Sequence, residues 1–134
     1  PGRRHVGGRP VSKSFAGGLL GHWSVWTRQA VALFARIRAC RTSQYAGVED
    51  LLPLAAAVTD MNAAIFDAPN GFRGSIAGIH EVLRRQGLMR ETACLDPQER
   101  LSPGQAAEIS RVVSLYPGLT DDAFVEAFLE NDRD

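Results

Sequence analysis

The side chains able to do chemistry are few and scattered along the 134 residues. His5, His22 and His80 stand apart, without the HExxH or His-x3-His spacing that sets two imidazoles on one metal, so no metal site is expected. Asp60 and Asp67 are seven residues apart, on nearly one face of any helix that holds both. Such a pair can divide acid and base work when burial splits the two acidities. Asp67 also sits where that helix would end, which is the plainer role. Gly71-Phe72-Arg73-Gly74 opens a further helix, and its free N–H groups and arginine could hold an anion. No strand precedes it and no GK[ST] follows, so tight backbone packing is the simpler reading.

Lys13 is the one lysine, set against 14 arginines. An amine forms a Schiff base when desolvation or a neighbouring cation makes it nucleophilic. Between two serines in a glycine-rich stretch, Lys13 has neither, and it reads as solvated. Arg3, Arg4, His5 and Arg9 could touch phosphate, but without interleaved aromatics they read as a solvated basic end. There is no Gly-x-Ser-x-Gly elbow, and no pairing of cysteine with histidine is visible. Cys40 and Cys94 lie outside any CxxC spacing and are expected to be reduced cytoplasmic thiols, with one disulfide as the lesser option. No catalytic, cofactor-binding or metal-ligating residue is therefore assigned within the chain, and no cofactor is expected.

The elements around these residues are helical. Residues 1–22 form an irregular segment rich in glycine and arginine, suited to a loop or the remnant of a strand. Residues 23–134 form the helical region. From Trp23 to Cys40 the apolar positions Trp23, Trp26, Ala30, Phe34, Ile37 and Cys40 recur in steps of three and four, with Ser24 as the N-cap. A second helix is predicted from about Leu52 to Asp67, with Pro53 tolerated in its first turn and Leu54, Val58, Met61 and Ile65 on its apolar stripe. Ala-Pro-Asn-Gly at 68–71 stops it. A third helix begins near Gly74 or Ser75, buries Ile76, Ile79, Val82 and Leu83, and ends at Gly87. Residues 89–101 read as a polar loop. Ser102-Pro103-Gly104-Gln105 supplies an N-cap, a proline at the first helical position and a capping-box glutamine for a fourth helix. Thr120 caps a fifth, carrying Phe124, Val125, Phe128 and Leu129. The fold class is all-α, with about five helices.

Composition narrows the function. The 45% apolar content supports a real core, and 15 basic residues balance 15 acidic ones, so no field recommends nucleic acid or an acidic membrane surface as partner. No apolar run approaches the ~20 residues of a membrane span, and no signal-peptide pattern opens the chain. A start at Pro1, together with the change of character after the first 20 residues, suggests a truncated chain.

NAAIFDAPNGFRGSIAGIHEVLRRQGL, followed by CLDP, LSPGQAAEI and YPGLTDDAFVEAFL, resembles the C-terminal end of the dihydrodipicolinate synthase and N-acetylneuraminate lyase family over about Gly21 to Leu129. The resemblance implies a (β/α)8 barrel extended by C-terminal helices. Trp23–Cys40 would be the last barrel helix, Leu52 onward the appended region, and Ser14–Gly21 the remnant of the last strand and its loop. It further implies a Schiff-base lyase acting on pyruvate or a related keto acid, whose lysine, proton-shuttling tyrosine and carboxylate-binding loop lie upstream of Pro1. Tyr45 and Tyr116 match helical regions and not that tyrosine. The chain alone is expected to be inactive, its partners being the remainder of its own barrel and further copies in a homo-oligomer, with the keto acid bound only by the intact enzyme. Without the barrel strands its exposed apolar face would favour self-association and a marginal fold. The alternative is a stand-alone helical interaction module that docks through Trp23, Trp26 and Phe34.

Overall fold

The computed structural model describes the backbone of residues 2–6, 8–13, 16–18 and 21–132, and side chains within 8–11, 16–18 and 21–132. Six α-helices dominate it: α1 (His22–Val25), α2 (Thr27–Thr42), α3 (Leu52–Ile65), α4 (Ser75–Arg85), α5 (Gln105–Leu115) and α6 (Asp122–Asn131). The segment expected to be irregular instead holds an antiparallel hairpin, β1 (Gly2–Val6) with β2 (Arg9–Lys13), in register from Gly2 opposite Lys13 to Val6 opposite Arg9. Gly8, in the connection between the strands, takes φ +75°, which glycine adopts without strain.

The first expected helix is two. Trp26 leaves helical geometry at φ −123°, ψ 51°, and its fully buried indole anchors the break in the core. Ser24 consequently lies inside α1 and caps nothing. α3 begins with Pro53 in its first turn, as the missing N–H demands. It packs against α4 and α5, and Met61, Ala64 and Ile65 join Val25, Trp26, Val82, Ile109 and Val112 in one apolar core.

α4 turns Val82 into the core with Ile79 and Leu83 packed against it, as expected, but Ile76 is exposed, and Ala77, Gly78 and Glu81 are buried as well. The small residues face inward because α4 crosses the end of α3 closely: a Cβ on Gly78 would overlap the Ile65 carbonyl oxygen. α4 ends in a Schellman motif, with Gly87 at φ +78° donating to Arg84 and the Leu88 N–H reaching the Leu83 carbonyl. α5 starts at Gln105, because Gly104 at φ +85° keeps Pro103 in the preceding turn and out of the helix.

α2 and α6 pack less completely, and α6 buries no residue. Of the 16 residues of α2 only Ala30 is buried, although Leu33, Phe34 and Ile37 continue the same stripe.

Candidate functional site

The most elaborate polar cluster sits where α3, α4 and α5 meet. Asp67 follows α3 in the left-handed region at φ +56°, which an aspartate tolerates better than most side chains, and is 2% exposed. Its Oδ1 accepts the Asn70 amide at 2.7 Å; its Oδ2 accepts the Gly74 N–H at 3.0 Å and the Ser102 hydroxyl at 2.6 Å. Gln105 completes the cluster. Its Nε2 donates to the Gly74 carbonyl at 3.0 Å and the Ile65 carbonyl at 3.3 Å, and its Oε1 accepts the Ser102 N–H at 3.1 Å. Half of the expected capping box is therefore present. The serine hydroxyl, expected on a helix N–H, is turned to Asp67, 35 residues away in the chain.

These contacts answer two sequence-level candidacies. Burial pushes the Asp67 pKa up, but hydrogen bonds from Asn70, Ser102 and Gly74, with the nearby Arg73 charge, outweigh it and hold the carboxyl below its ordinary value. Asp60 is held low chiefly by hydrogen bonds from Arg111, against some desolvation, with Tyr116 helping; the guanidinium is bidentate at 2.7 and 2.9 Å and the phenol donates at 3.0 Å. Both carboxylates are thus ionised near neutral pH, so neither is a proton donor and the acidities are not split. The Gly71–Gly74 turn does meet an anion, and the anion is Asp67 itself, which occupies the Gly74 N–H.

A second buried aspartate repeats this use. Asp121, 6% exposed, accepts the Arg28 and Gln29 backbone N–H groups at 2.8 and 3.0 Å. It caps the first turn of α2, whose own N-cap position holds Trp26 and offers no side-chain acceptor. Thr120, the expected cap of α6, instead donates its hydroxyl to the Pro117 carbonyl. Glu81 is likewise buried and is held below its ordinary pKa mainly by its hydrogen bond from Arg84, with Arg85 assisting; Arg85 also reaches Ser110 and the Ala106 carbonyl, tying α4 to α5.

His22 is buried beneath α2. Burial lowers its pKa, partly offset by Asn62, whose Oδ1 lies 3.2 Å from Nδ1. Its Nε2 has no partner among the described residues. Neutral imidazole with the proton on Nδ1 is the form this environment supports. His80 and Cys94, unrelated in the sequence pattern, come together with Nδ1 and Sγ 3.7 Å apart. Burial, with Glu99 and Asp96 nearby, raises the thiol pKa, so the pair holds a protonated thiol and not an armed thiolate. Both cysteines are free. Lys13 lies on β2, and Arg3, Arg4 and His5 on β1, but their side chains fall outside the described residues. Tyr45 is exposed beyond α2, and Tyr116 ends α5. Among the described residues no three of His, Cys, Asp and Glu gather where a metal could sit. No described helix is long and apolar enough to cross a membrane.

A groove of about 420 Å³ lies between α2 and α3, walled by Trp23, Leu33, Phe34, Ile37 and Val58, with Gly17, Gly18, His22 and Asn62 also lining it. The Trp23 and Phe34 rings meet edge to face at 6.0 Å. Among the described residues no cationic or carboxylate side chain lines the groove. The arrangement suits the burial of apolar surface and offers no nucleophile or acid–base pair. Comparison with protein-family models, with curated proteins and with solved structures finds no match to this chain.

Proposed function

We propose that this chain is the C-terminal helical portion of a Schiff-base lyase of the dihydrodipicolinate synthase and N-acetylneuraminate lyase type, and that it is a packing unit without chemistry of its own. The resemblance of the residue runs from Asn62 to Leu129 is the first support. The observation that carries the packing role is α2, a 16-residue helix with an apolar stripe but one buried residue, beside an open groove lined by indole and phenyl rings. Soluble proteins seldom leave such a face bare, and a layer of barrel strands is the cover the resemblance supplies. In the intact enzyme a lysine upstream of Pro1 would form the imine with the keto acid, and this region would close the barrel and support a homo-oligomer in the cytoplasm.

The polar clusters fit that role. Asp67, Asp121 and Asp60 are each committed to hydrogen bonds or ion pairs that join helices, Glu81 pairs with Arg84 and Arg85 of its own helix, and none of the four faces the groove. Trapping tests the reading. Incubation of the 134-residue chain with pyruvate and borohydride should give no adduct by intact mass, whereas protein translated from an extended upstream frame should be labelled on a lysine preceding Pro1. A specific adduct on Lys13 would overturn it.

The open α2 face equally favours one alternative, a stand-alone helical interaction module; Trp26, expected in its docking face, is instead fully buried in the core, which leaves Trp23 and Phe34 to dock. That reading shares the groove and differs in having no barrel upstream.

A further inference from the structure

The buried cluster of Asp67, Ser102 and Gln105 clamps the turn that follows α3 against the segment that leads into α5. Outside the clamp the two segments leave a cavity of about 470 Å³, within the roughly 300–1,000 Å³ of small-molecule sites. Asn70 and Arg73 line it from the first segment, and Pro97, Gln98, Arg100 and Leu101 from the second. Among the described residues its lining holds two guanidinium groups and no carboxylate.

The two arginines are not spent elsewhere. Ion pairs among the described residues use Arg84, Arg85 and Arg111. Arg73 gives its Nε to the Asn70 carbonyl at 3.1 Å, which fixes the root of the guanidinium and leaves its two Nη groups for a ligand. Arg100 is exposed and enters no ion pair among the described residues. The Asp67 charge acts on Arg73, but that carboxylate is buried and already met by three donors. Asp96 accepts the Gln98 backbone N–H at 2.8 Å, and neither it nor Glu99 lines the cavity. Arg38 and Arg41 also share a surface hollow, but one turn of one helix puts them there. Arg73 and Arg100 meet because the buried cluster joins two segments distant in the chain.

We propose that this cavity binds the phosphate group of a small phosphate monoester, held by Arg73 and Arg100, with the Gln98 side-chain amide as a neutral donor and the organic portion against Pro97 and Leu101. Two guanidinium groups match a group that carries close to two negative charges at neutral pH, and their planar forks pair bidentately with its oxygens. A monocarboxylate would leave one arginine unmatched. Free phosphate would leave the proline and leucine surface unused.

Phenyl phosphate is the probe. Its titration into the isotope-labelled 134-residue chain should shift the amide resonances of Asn70, Arg73, Gln98 and Arg100 saturably. Inorganic phosphate should bind several-fold more weakly, and benzoate more weakly still. Arg100→Gln, at an exposed position outside the buried cluster, should raise the dissociation constant roughly tenfold or more at an unchanged melting temperature. Arg73→Gln should weaken binding likewise, and Arg38→Gln with Arg41→Gln should leave it unchanged. Absence of a saturable shift, or full affinity in Arg100→Gln, overturns the proposal. Benzoate bound as tightly as phenyl phosphate overturns the choice of phosphate, and inorganic phosphate bound as tightly overturns the organic portion. The site uses neither the α2 groove nor Lys13, so its failure and that of the lyase reading are distinguishable.

Discussion

Replacing Asp67 by Asn removes the charge at the junction of α3, α4 and α5 with almost no change in shape. Asparagine tolerates the left-handed backbone at φ +56°, so the substitution isolates the carboxylate from the turn. Three donors converge on the native side chain: the Asn70 amide, the Gly74 N–H and the Ser102 hydroxyl. An Asn oxygen can serve one side of that arrangement, but its NH2 then confronts a donor on the other. The loss is one or two charge-assisted hydrogen bonds, and donors left buried without acceptors cost about 1–3 kcal/mol each. With partial relaxation, Asp67→Asn should lower stability by about 3–4 kcal/mol, a large share of the ~5–15 kcal/mol of an ordinary domain. Urea unfolding followed by tryptophan fluorescence and by circular dichroism should show a lower midpoint at constant slope. Ser102→Ala should cost about 1–2 kcal/mol, because its hydroxyl serves Asp67 and not a helix end. The two substitutions should be non-additive by at least ~1 kcal/mol, since they share one bond. A loss under ~1 kcal/mol for Asp67→Asn, or strict additivity with Ser102→Ala, would refute the account of this junction.

Other consequences follow from the same contacts. Gly78→Ala gains up to ~1 kcal/mol in helix propensity but drives a methyl into the Ile65 carbonyl, so a net loss of about 1–3 kcal/mol is expected in thermal or urea melts. Asp121→Ala strips α2 of its acceptor and should cost about 0.5–2 kcal/mol, with faster amide exchange at Arg28 and Gln29. The melting temperature should fall in two stages on acidification. His22 is lowered in the fold, so the unfolded chain takes its proton first and stability declines as pH drops below the ordinary value of 6.5. Asp60, Asp67 and Glu81 are also lowered; their contribution is complete above the ordinary 3.8 to 4.5 and is lost as pH falls through the lower folded values. An unchanged melting temperature between pH 7 and 5 would contradict the placement of His22.

The helices were legible wherever local chemistry decides them. Pro53, the 68–71 stop, Gly87 and the apolar period of α3 and α5 act within a turn or two, and the structure bears them out. What the pattern missed depends on partners distant in the chain. Ser102 looked like a cap because Ser-x-x-Gln is a local signature, but Asp67 approaches from 35 residues away and takes the hydroxyl. Trp26 looked like one position on a continuous stripe; its burial breaks the helix, and Asp121, more than 90 residues on, makes the restart possible. Ile76 looked inward because it is apolar, but Gly78 and Ala77 hold the closest approach of α4 to α3. The Cys94–His80 contact had no signal, since a loop of irregular backbone carries the cysteine back to α4. Of the candidate site, the aspartates could be named from sequence, but their service as caps and junctions for other helices could not.

The central claim is that these helices complete a larger lyase. Reading the coding sequence upstream of the codon for Pro1 tests it most directly. The account predicts an open frame that continues into alternating strand and helix patterns, with a lysine at the end of a strand. A nearby stop codon followed by a start codon would contradict it, and would leave an independent helical protein whose α2 face serves another partner.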